Sequence, residues 1–299
     1  MRVIVDSGVP SPALKRGCEL SLAIPASLVS DVPHLREKTF KIGLVGRAAA
    51  IFRVNEIIVF PDLPNVDQSQ DANLIATILS YMETPQYLRK QLFRIRPELR
   101  YAGVLPPLRT PHHPLSNRIE NLTVGEYREG VVVSAFKGGS LVDIGVESPL
   151  MVPDAKLPVN ARVTVKVTEL GKRPKAVLAS RDEIKMYWGY QVTVSNVSFG
   201  RLVKSRPFDL VIATSRYGAP IIEVMDELSG CWKNSRRILV AFGAPTQGLY
   251  EIVAHEHLQL DDVAHFTVNT IPYQGTGTVR TEEAIYTSLA ILNSFIGKI

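Results

Sequence analysis

The spacing of apolar and polar positions changes character twice along the chain. Ser21-Leu22-Ala23-Ile24 is a short apolar run closed by Pro25, the pattern of a buried strand whose ladder a proline ends. Residues 33–52 carry Leu35, Phe40, Leu44 and Ile51 at apolar helical spacing, with Arg36, Lys38, Lys41 and Arg47 among them, which predicts a helix. Glu56-Ile57-Ile58-Val59-Phe60 reads as a second strand, stopped by Pro61. A helix is expected over 71–82, with Asp71 as its cap and Leu74, Ile75, Ile78 and Leu79 inward. A shorter helix is expected from about Pro85. Strand, helix, strand, helix implies a parallel sheet covered by helices.

Near Gly103 the texture changes. Residues 104–114 hold four prolines and His112-His113 and read as a linker. From 124 to 180 the pattern is short β-rich runs with glycine turns: Gly130-Val131-Val132-Val133, then Ser140 to Ile144, then Ala161 to Val167, and last Ala176 to Ser180. Gly138-Gly139 between the first two is a hairpin signal. About five such strands fit a small barrel of OB or S1 type. After Arg181 the α/β pattern returns, with apolar strands expected at 208–214, 237–242 and 264–269 and a final helix over 281–296. The expectation is therefore one discontinuous α/β domain, 1–110 and 187–299, with a barrel of 111–186 inserted in it.

Composition narrows the class. With 45% hydrophobic and 21% charged residues over 299 positions, the chain has the balance of a globular protein with a real core. Asp6 and Pro10 interrupt the first apolar run before signal-peptide length, and no stretch approaches the roughly 20 apolar residues of a membrane span. Cys18 and Cys231 match no zinc or CxxC spacing. A cytoplasmic protein without metal is expected. The net charge of +5 permits a nucleic-acid partner without demanding one.

Candidate chemistry gathers after the three late strands. These run into Ser215-Arg216-Tyr217-Gly218-Ala219-Pro220, into Gly243-Ala244-Pro245-Thr246-Gln247-Gly248-Leu249, and into a third segment from Thr270 to Arg280. In open α/β sheets the ligand crevice lies at the carboxyl ends of strands, and glycines there let backbone groups approach a ligand. Gly275-Thr276-Gly277-Thr278 is neither a GxxxxGK[ST] loop nor a GxGxxG turn opening a first βα unit, so a nucleoside triphosphatase or a Rossmann dehydrogenase is weakly supported.

The run from Phe242 to Leu249, followed by Asn269-Thr270-Ile271-Pro272-Tyr273-Gln274-Gly275-Thr276-Gly277-Thr278-Val279-Arg280-Thr281-Glu282-Glu283-Ala284, resembles the cofactor-binding half of SPOUT methyltransferases. The likeness extends over nearly the whole chain to an archaeal and eukaryotic group read as RNA methyltransferases with a barrel inserted in the SPOUT domain. Pro106 to His113, Tyr187-Trp188-Gly189-Tyr190 and Thr214 to Gly218 also match that group's pattern. The resemblance implies a deep trefoil knot, one of the rare exceptions to ordinary chain topology. It further implies an S-adenosylmethionine cofactor, a homodimer and ribosomal RNA as substrate, with uridine N3 of the large ribosomal RNA as the suggested target.

Within that frame the cofactor-binding candidates are Thr214, Gly243, Gly248, Asn269, Ile271, Gly275 and Thr278. Arg216 and Arg280 are candidates to orient the acceptor, because a planar guanidinium donates two bonds at once. Glu283, with Glu282, is a candidate base, although carboxylates in a first helical turn also complement the helix dipole. Methylating C5 of a pyrimidine normally needs a cysteine nucleophile, and neither cysteine falls in the three segments, so N- or O-methylation is expected. Arg89, Lys90, Arg94, Arg96 and Arg109, interleaved with Tyr87, Phe93 and Tyr101, form a candidate RNA grip; a solvated helix face is the alternative. Basic residues of the barrel, Lys172 among them, are roughly balanced by acids. His112 and His113 are expected to point to opposite sides of an extended segment, without a third ligand, and His255, His257 and His265 lack a carboxylate partner. A non-catalytic RNA-binding or ribosome-assembly factor that keeps the fold is the second reading.

Overall fold

The structure, a computed structural model, describes residues 13–171 and 173–295. The opening segment with Asp6 and Pro10, the insert's Lys172 and the end of the last helix at Ile296 lie outside the described residues. The chain divides into two compact units, one of residues 17–108 and 189–295 and one of residues 13–16 and 109–188.

In chain order the elements are β1 (Glu19–Pro25), α1 (Leu35–Ile51), β2 (Glu56–Phe60), α2 (Ser69–Glu83) and α3 (Gln86–Leu92). The second unit follows with β3 (Tyr127–Phe136), β4 (Gly139–Asp143), β5 (Leu150–Pro153), β6 (Arg162–Glu169) and β7 (Lys175–Leu178). The first unit then resumes with β8 (Gln191–Val194), α4 (Phe199–Ser205), β9 (Leu210–Pro220), α5 (Ile221–Asn234) and β10 (Arg237–Ala241). It closes with α6 (Leu249–Ala254), β11 (Phe266–Asn269) and α7 (Thr281–Asn293).

The first unit is a six-stranded sheet in the order β11-β9-β10-β1-β2-β8, parallel throughout. Its central strands read as continuous apolar runs because both faces are covered. Alternate residues divide between two cores. Leu22, Ile24, Ile212 and Val240 pack with α1, α2, α5 and α7. Ala23, Val211, Leu239 and Ala241 pack with α4 and α6 on the opposite face. Strand β1 ends on Pro25, β9 ends on Pro220 and Pro61 follows β2, so prolines mark the carboxyl edge where pairing stops. At the other flank Arg206 donates twice to Glu56, at 2.6 and 3.1 Å, and Thr193 of β8 donates at 2.7 Å. Burial raises the Glu56 carboxyl, but these donors outweigh it and hold it below its ordinary value.

The second unit is a closed barrel in the order β3-β4-β5-β7-β6. Val132, Val142, Leu150, Val152, Val165 and Val167 fill it. The expected hairpin is present, with Phe136 opposite Gly139. Gly139 has φ of 145°, and a Cβ there would stand 2.3 Å from the Val152 carbonyl oxygen, so only glycine serves.

Several expectations change. Asp71 lies inside the first turn of α2 and does not cap it; Ser69 N–H instead donates to Asp67. Strands β5 and β8 and helices α4 and α5 go beyond the elements expected. The 215–220 segment is extended backbone of β9, not a free loop. His112 and His113 do not point apart: they sit in a turn with rings 4.3 Å from each other. His265 accepts from Val211 N–H of β9 at 3.0 Å.

Candidate active site

Three strand ends meet in one cavity. Strand β9 pairs with β11 through Ala213 opposite Thr267, then resumes with Ala219 opposite Val268, so residues 214–218 arch out of the ladder. Gly218 lets the arch return: a Cβ there would meet the Thr267 oxygen at 2.6 Å. After β10 the chain makes a tight turn, with Ala244 N–H donating to the Gln247 carbonyl at 2.8 Å. After β11 it runs over residues 270–280 into α7. The Thr281 hydroxyl donates to the Gly243 carbonyl at 3.1 Å, and the Thr214 hydroxyl donates to the Ala241 carbonyl at 2.9 Å. These side-chain bonds to backbone tie the walls together around about 260 Å³.

Six of the sequence candidates line this cavity: Thr214, Arg216, Gly243, Gly248, Ile271 and Thr278. Asn269 acts from behind it. Its amide donates to the Arg216 carbonyl at 3.0 Å and its oxygen accepts from Ile271 N–H at 3.0 Å, so one side chain staples the β9 arch to the third segment. Arg216 lies over the Tyr217 ring at 4.7 Å and donates to that hydroxyl and to the Gly277 carbonyl. Gly275, Arg280 and Glu283 are not in the lining. Arg280 precedes α7, and Glu283 is its cap, accepting from Arg280 N–H at 3.0 Å. Glu282 is buried, with Lys41 Nζ 3.5 Å from its Oε2. Phe242, Tyr217, Gln247, Glu251, Val279 and Ala284 also line it and were not singled out one by one from the sequence.

A buried carboxylate underlies the arrangement. Asp62, just after β2, accepts from Ser27 N–H and hydroxyl, from Gln68 Nε2 and, at 3.2 Å, from Gln247 Nε2. It therefore joins the carboxyl ends of β1, β2 and β10 and holds a lining residue. Sequence reasoning missed it because an acid two residues past a strand carries no signal of its partners. Asp62→Ala takes the carboxylate from Ser27 N–H, the Ser27 hydroxyl and Gln68 Nε2, while Gln247 Nε2 keeps the backbone carbonyl of residue 62; hydrogen bonds to charged groups are worth about 1.5–3 kcal/mol. A loss of about 2–3 kcal/mol in urea unfolding is expected; an unchanged midpoint would remove Asp62 from the framework.

The basic stretch divides. Arg89 is spent on structure: it donates to the Thr84 and Met82 carbonyls and lies over the Tyr81 ring at 4.6 Å. Lys90, Arg94 and Arg96 are exposed around the end of α3. Arg109 is exposed too, but belongs to the barrel unit. Among the described residues no group of three His, Cys, Asp or Glu side chains is placed to hold a metal ion.

Comparison with known proteins names the class. The family described as "Putative RNA methyltransferase" matches residues 19–292. A 28S rRNA (uridine-N(3))-methyltransferase of Drosophila melanogaster is 34% identical over 91% of this chain, which spans 61% of that protein's length. The Mus musculus protein of the same name is 35% identical over 91% of this chain and 75% of its own. An uncharacterized protein of Halobacterium salinarum is 34% identical over 91% of this chain and 98% of its own. The match runs over both the strand-end segments and the barrel, and this chain belongs to the family described as "Putative RNA methyltransferase".

Proposed function

We propose that this chain methylates a nucleotide of ribosomal RNA with S-adenosylmethionine as donor, and that the acceptor is uridine N3, the atom in the fly and mouse relatives' names. The observation that carries the reading is the cavity built by three strand ends in a chain of this family. Its residues fit the donor. Phe242, Pro245, Ile271, Val279 and Ala284 offer apolar surface for a flat base, and Gly243 and Gly248 let the turn after β10 close tightly beside it. Arg216 suits a carboxylate or an acceptor base edge. When bound, S-adenosylmethionine supplies a methyl group on a sulfonium, open to in-line displacement. The chain's part is to exclude water, to hold the acceptor nitrogen about 3 Å from that methyl in line with the breaking bond, and to favour loss of its proton. We assign the last task to Arg216, which lines the cavity, because a fixed cation beside uracil stabilises the anion that forms as N3–H ionises.

The reading carries a SPOUT trefoil knot, supported by the parallel β11-β9-β10 edge and the family match. It also carries an OB-like RNA-binding insert, supported by the closed five-stranded barrel, and a cytoplasmic homodimer. Calorimetry with S-adenosylmethionine and its demethylated product, followed by mass spectrometry of ribosomal RNA from a deletion strain, tests it. Binding of both and loss of one N3-methyluridine are expected. No binding of either would favour a non-catalytic RNA-binding factor, and a lost C5-methylpyrimidine would overturn the N-methylation. Arg216→Ala should lower methyl transfer about 100-fold, the scale of one lost transition-state contact, without moving the unfolding midpoint. Unchanged turnover would remove Arg216 from the reaction.

A further inference from the structure

The barrel unit holds a second and larger hollow, about 990 Å³, lined wholly by residues of that unit. Methyl transfer gives it no role. One wall is a run of rings. Tyr127 stands edge-on to Trp188 at 6.3 Å, Trp188 lies 5.8 Å from His112, and His112 meets His113 edge-on at 4.3 Å. Tyr127, Trp188 and His113 reach the hollow. The run is braced from behind: buried Trp188 donates its indole N–H to buried Glu129 at 2.6 Å, and His112 is buried as well. Rings held this way lose little freedom when a ligand meets them.

The rest of the lining has a consistent chemistry. Leu115 and Val124 present apolar surface at 88% and 64% exposure. Thr110 is only 9% exposed, and its hydroxyl has no hydrogen-bond partner among the described residues. Arg109 lines the hollow with its backbone held in the left-handed region at φ 52°, and Lys166 Nζ stands over the Tyr127 ring at 5.4 Å. The carboxylate in the lining, Glu126, is already engaged by Arg128 at 2.6 Å and by Thr123 N–H at 3.1 Å, which limits its repulsion of an anion. Flat surface with cations beside it is what one nucleotide of a single strand requires: faces to stack and a phosphate to neutralise.

We propose that this hollow binds one unpaired nucleotide of the RNA substrate, its base against Tyr127 and His113 and its phosphate on Arg109. The proposal takes the identity of the polymer from the RNA methyltransferase reading. The site itself is separate from the cofactor cavity, so the two can fail independently.

The test is fluorescence anisotropy of a labelled single-stranded RNA with the full chain, at several salt concentrations. Tyr127→Leu and His113→Leu should each weaken binding about 10-fold, the scale of one lost base stack, with the salt slope unchanged. Arg109→Asn keeps a residue that tolerates left-handed backbone and should reduce the salt slope by about 1. Hydrogen exchange in the peptides of β3, β4 and β6 should match the parent in all three, which shows that the barrel unit of the variants is folded, and S-adenosylmethionine affinity should be unaltered. RNA containing 4-thiouridine should crosslink to the peptides that carry His113 or Tyr127. Loss of affinity in the ring variants supports the proposal whether or not the preparation methylates RNA. RNA affinity within twofold of the parent in all three variants, or crosslinks confined to other peptides, would overturn it.

Discussion

Gly218→Ala, the addition of one methyl group, is expected to reduce methyl transfer at least about 100-fold and to cost about 2–3 kcal/mol of stability. The added carbon would stand 2.6 Å from the Thr267 oxygen, 2.7 Å from its carbonyl carbon and 2.8 Å from the Val268 carbonyl carbon. All three are backbone atoms of the strand that β9 pairs with, so no side chain can swing aside. Relief requires β9 and β11 to part, and that moves Thr214 and Arg216 together with the cavity wall they form. A shift of about 1 Å at a reacting centre is enough to cost a hundredfold in rate. Gly275→Ala is the matched control, because its added carbon meets nothing within 4 Å and its backbone is not left-handed. That variant should stay within about 0.5 kcal/mol of the parent. Urea unfolding and methyl transfer measured on both variants decide the matter, and equal tolerance at the two positions would refute the close approach of β9 to β11.

Glu129→Gln is expected to destabilise the barrel unit by about 3–5 kcal/mol, the cost of removing one partner from a buried ion pair. Glu129 is 1% exposed. It accepts from Arg162 Nε at 2.6 Å, from the Thr164 hydroxyl at 2.7 Å and from Trp188 Nε1 at 2.6 Å, with Arg181 at 3.5 Å. Burial raises its carboxyl, but the two arginines and the Thr164 hydroxyl outweigh it, so it titrates below its ordinary 4.5 in the folded chain. The unfolded chain then binds the proton more readily. The stabilisation is complete above about pH 4.5 and is lost as pH falls through the lower folded value. Hydrogen exchange in peptides of β3, β6 and β7 should accelerate in the variant at pH 7, and the parent should approach the variant as the medium is acidified. Parent-like protection in the variant at pH 7 would show that the cluster is not what holds the barrel.

Much of this molecule is legible locally. Glu56–Phe60 forms the strand its four consecutive apolar residues predict, and the apolar runs around Leu22, Val211 and Val240 form central parallel strands. Such runs announce burial on both faces, because a strand repeats every two residues and alternation disappears when both sides are covered. Gly138-Gly139 marks its hairpin because a tight turn is decided by the residues within it. Strand β8 escaped notice because Gln191-Val192-Thr193-Val194 is a short edge with exposed ends, and its apolar content resembles that of a loop.

The site divides along the same line. Glycine, proline and small polar residues after three apolar strands are a local signal, and six of the residues they offered do meet around one cavity. Their partners are another matter. Arg89 reads as a cation available to a phosphate, yet it is spent on the carbonyls of Thr84 and Met82. Asp62 reads as an ordinary turn acid, yet it joins three strand ends. Asn269 reads as a ligand contact and is a staple behind the wall. Backbone periodicity is set by neighbours along the chain and can be read from them. The hydrogen-bond partner of a charged or amide side chain is set by which strands lie side by side, and only the β11-β9-β10-β1-β2 order brings those partners within 3 Å or so of one another.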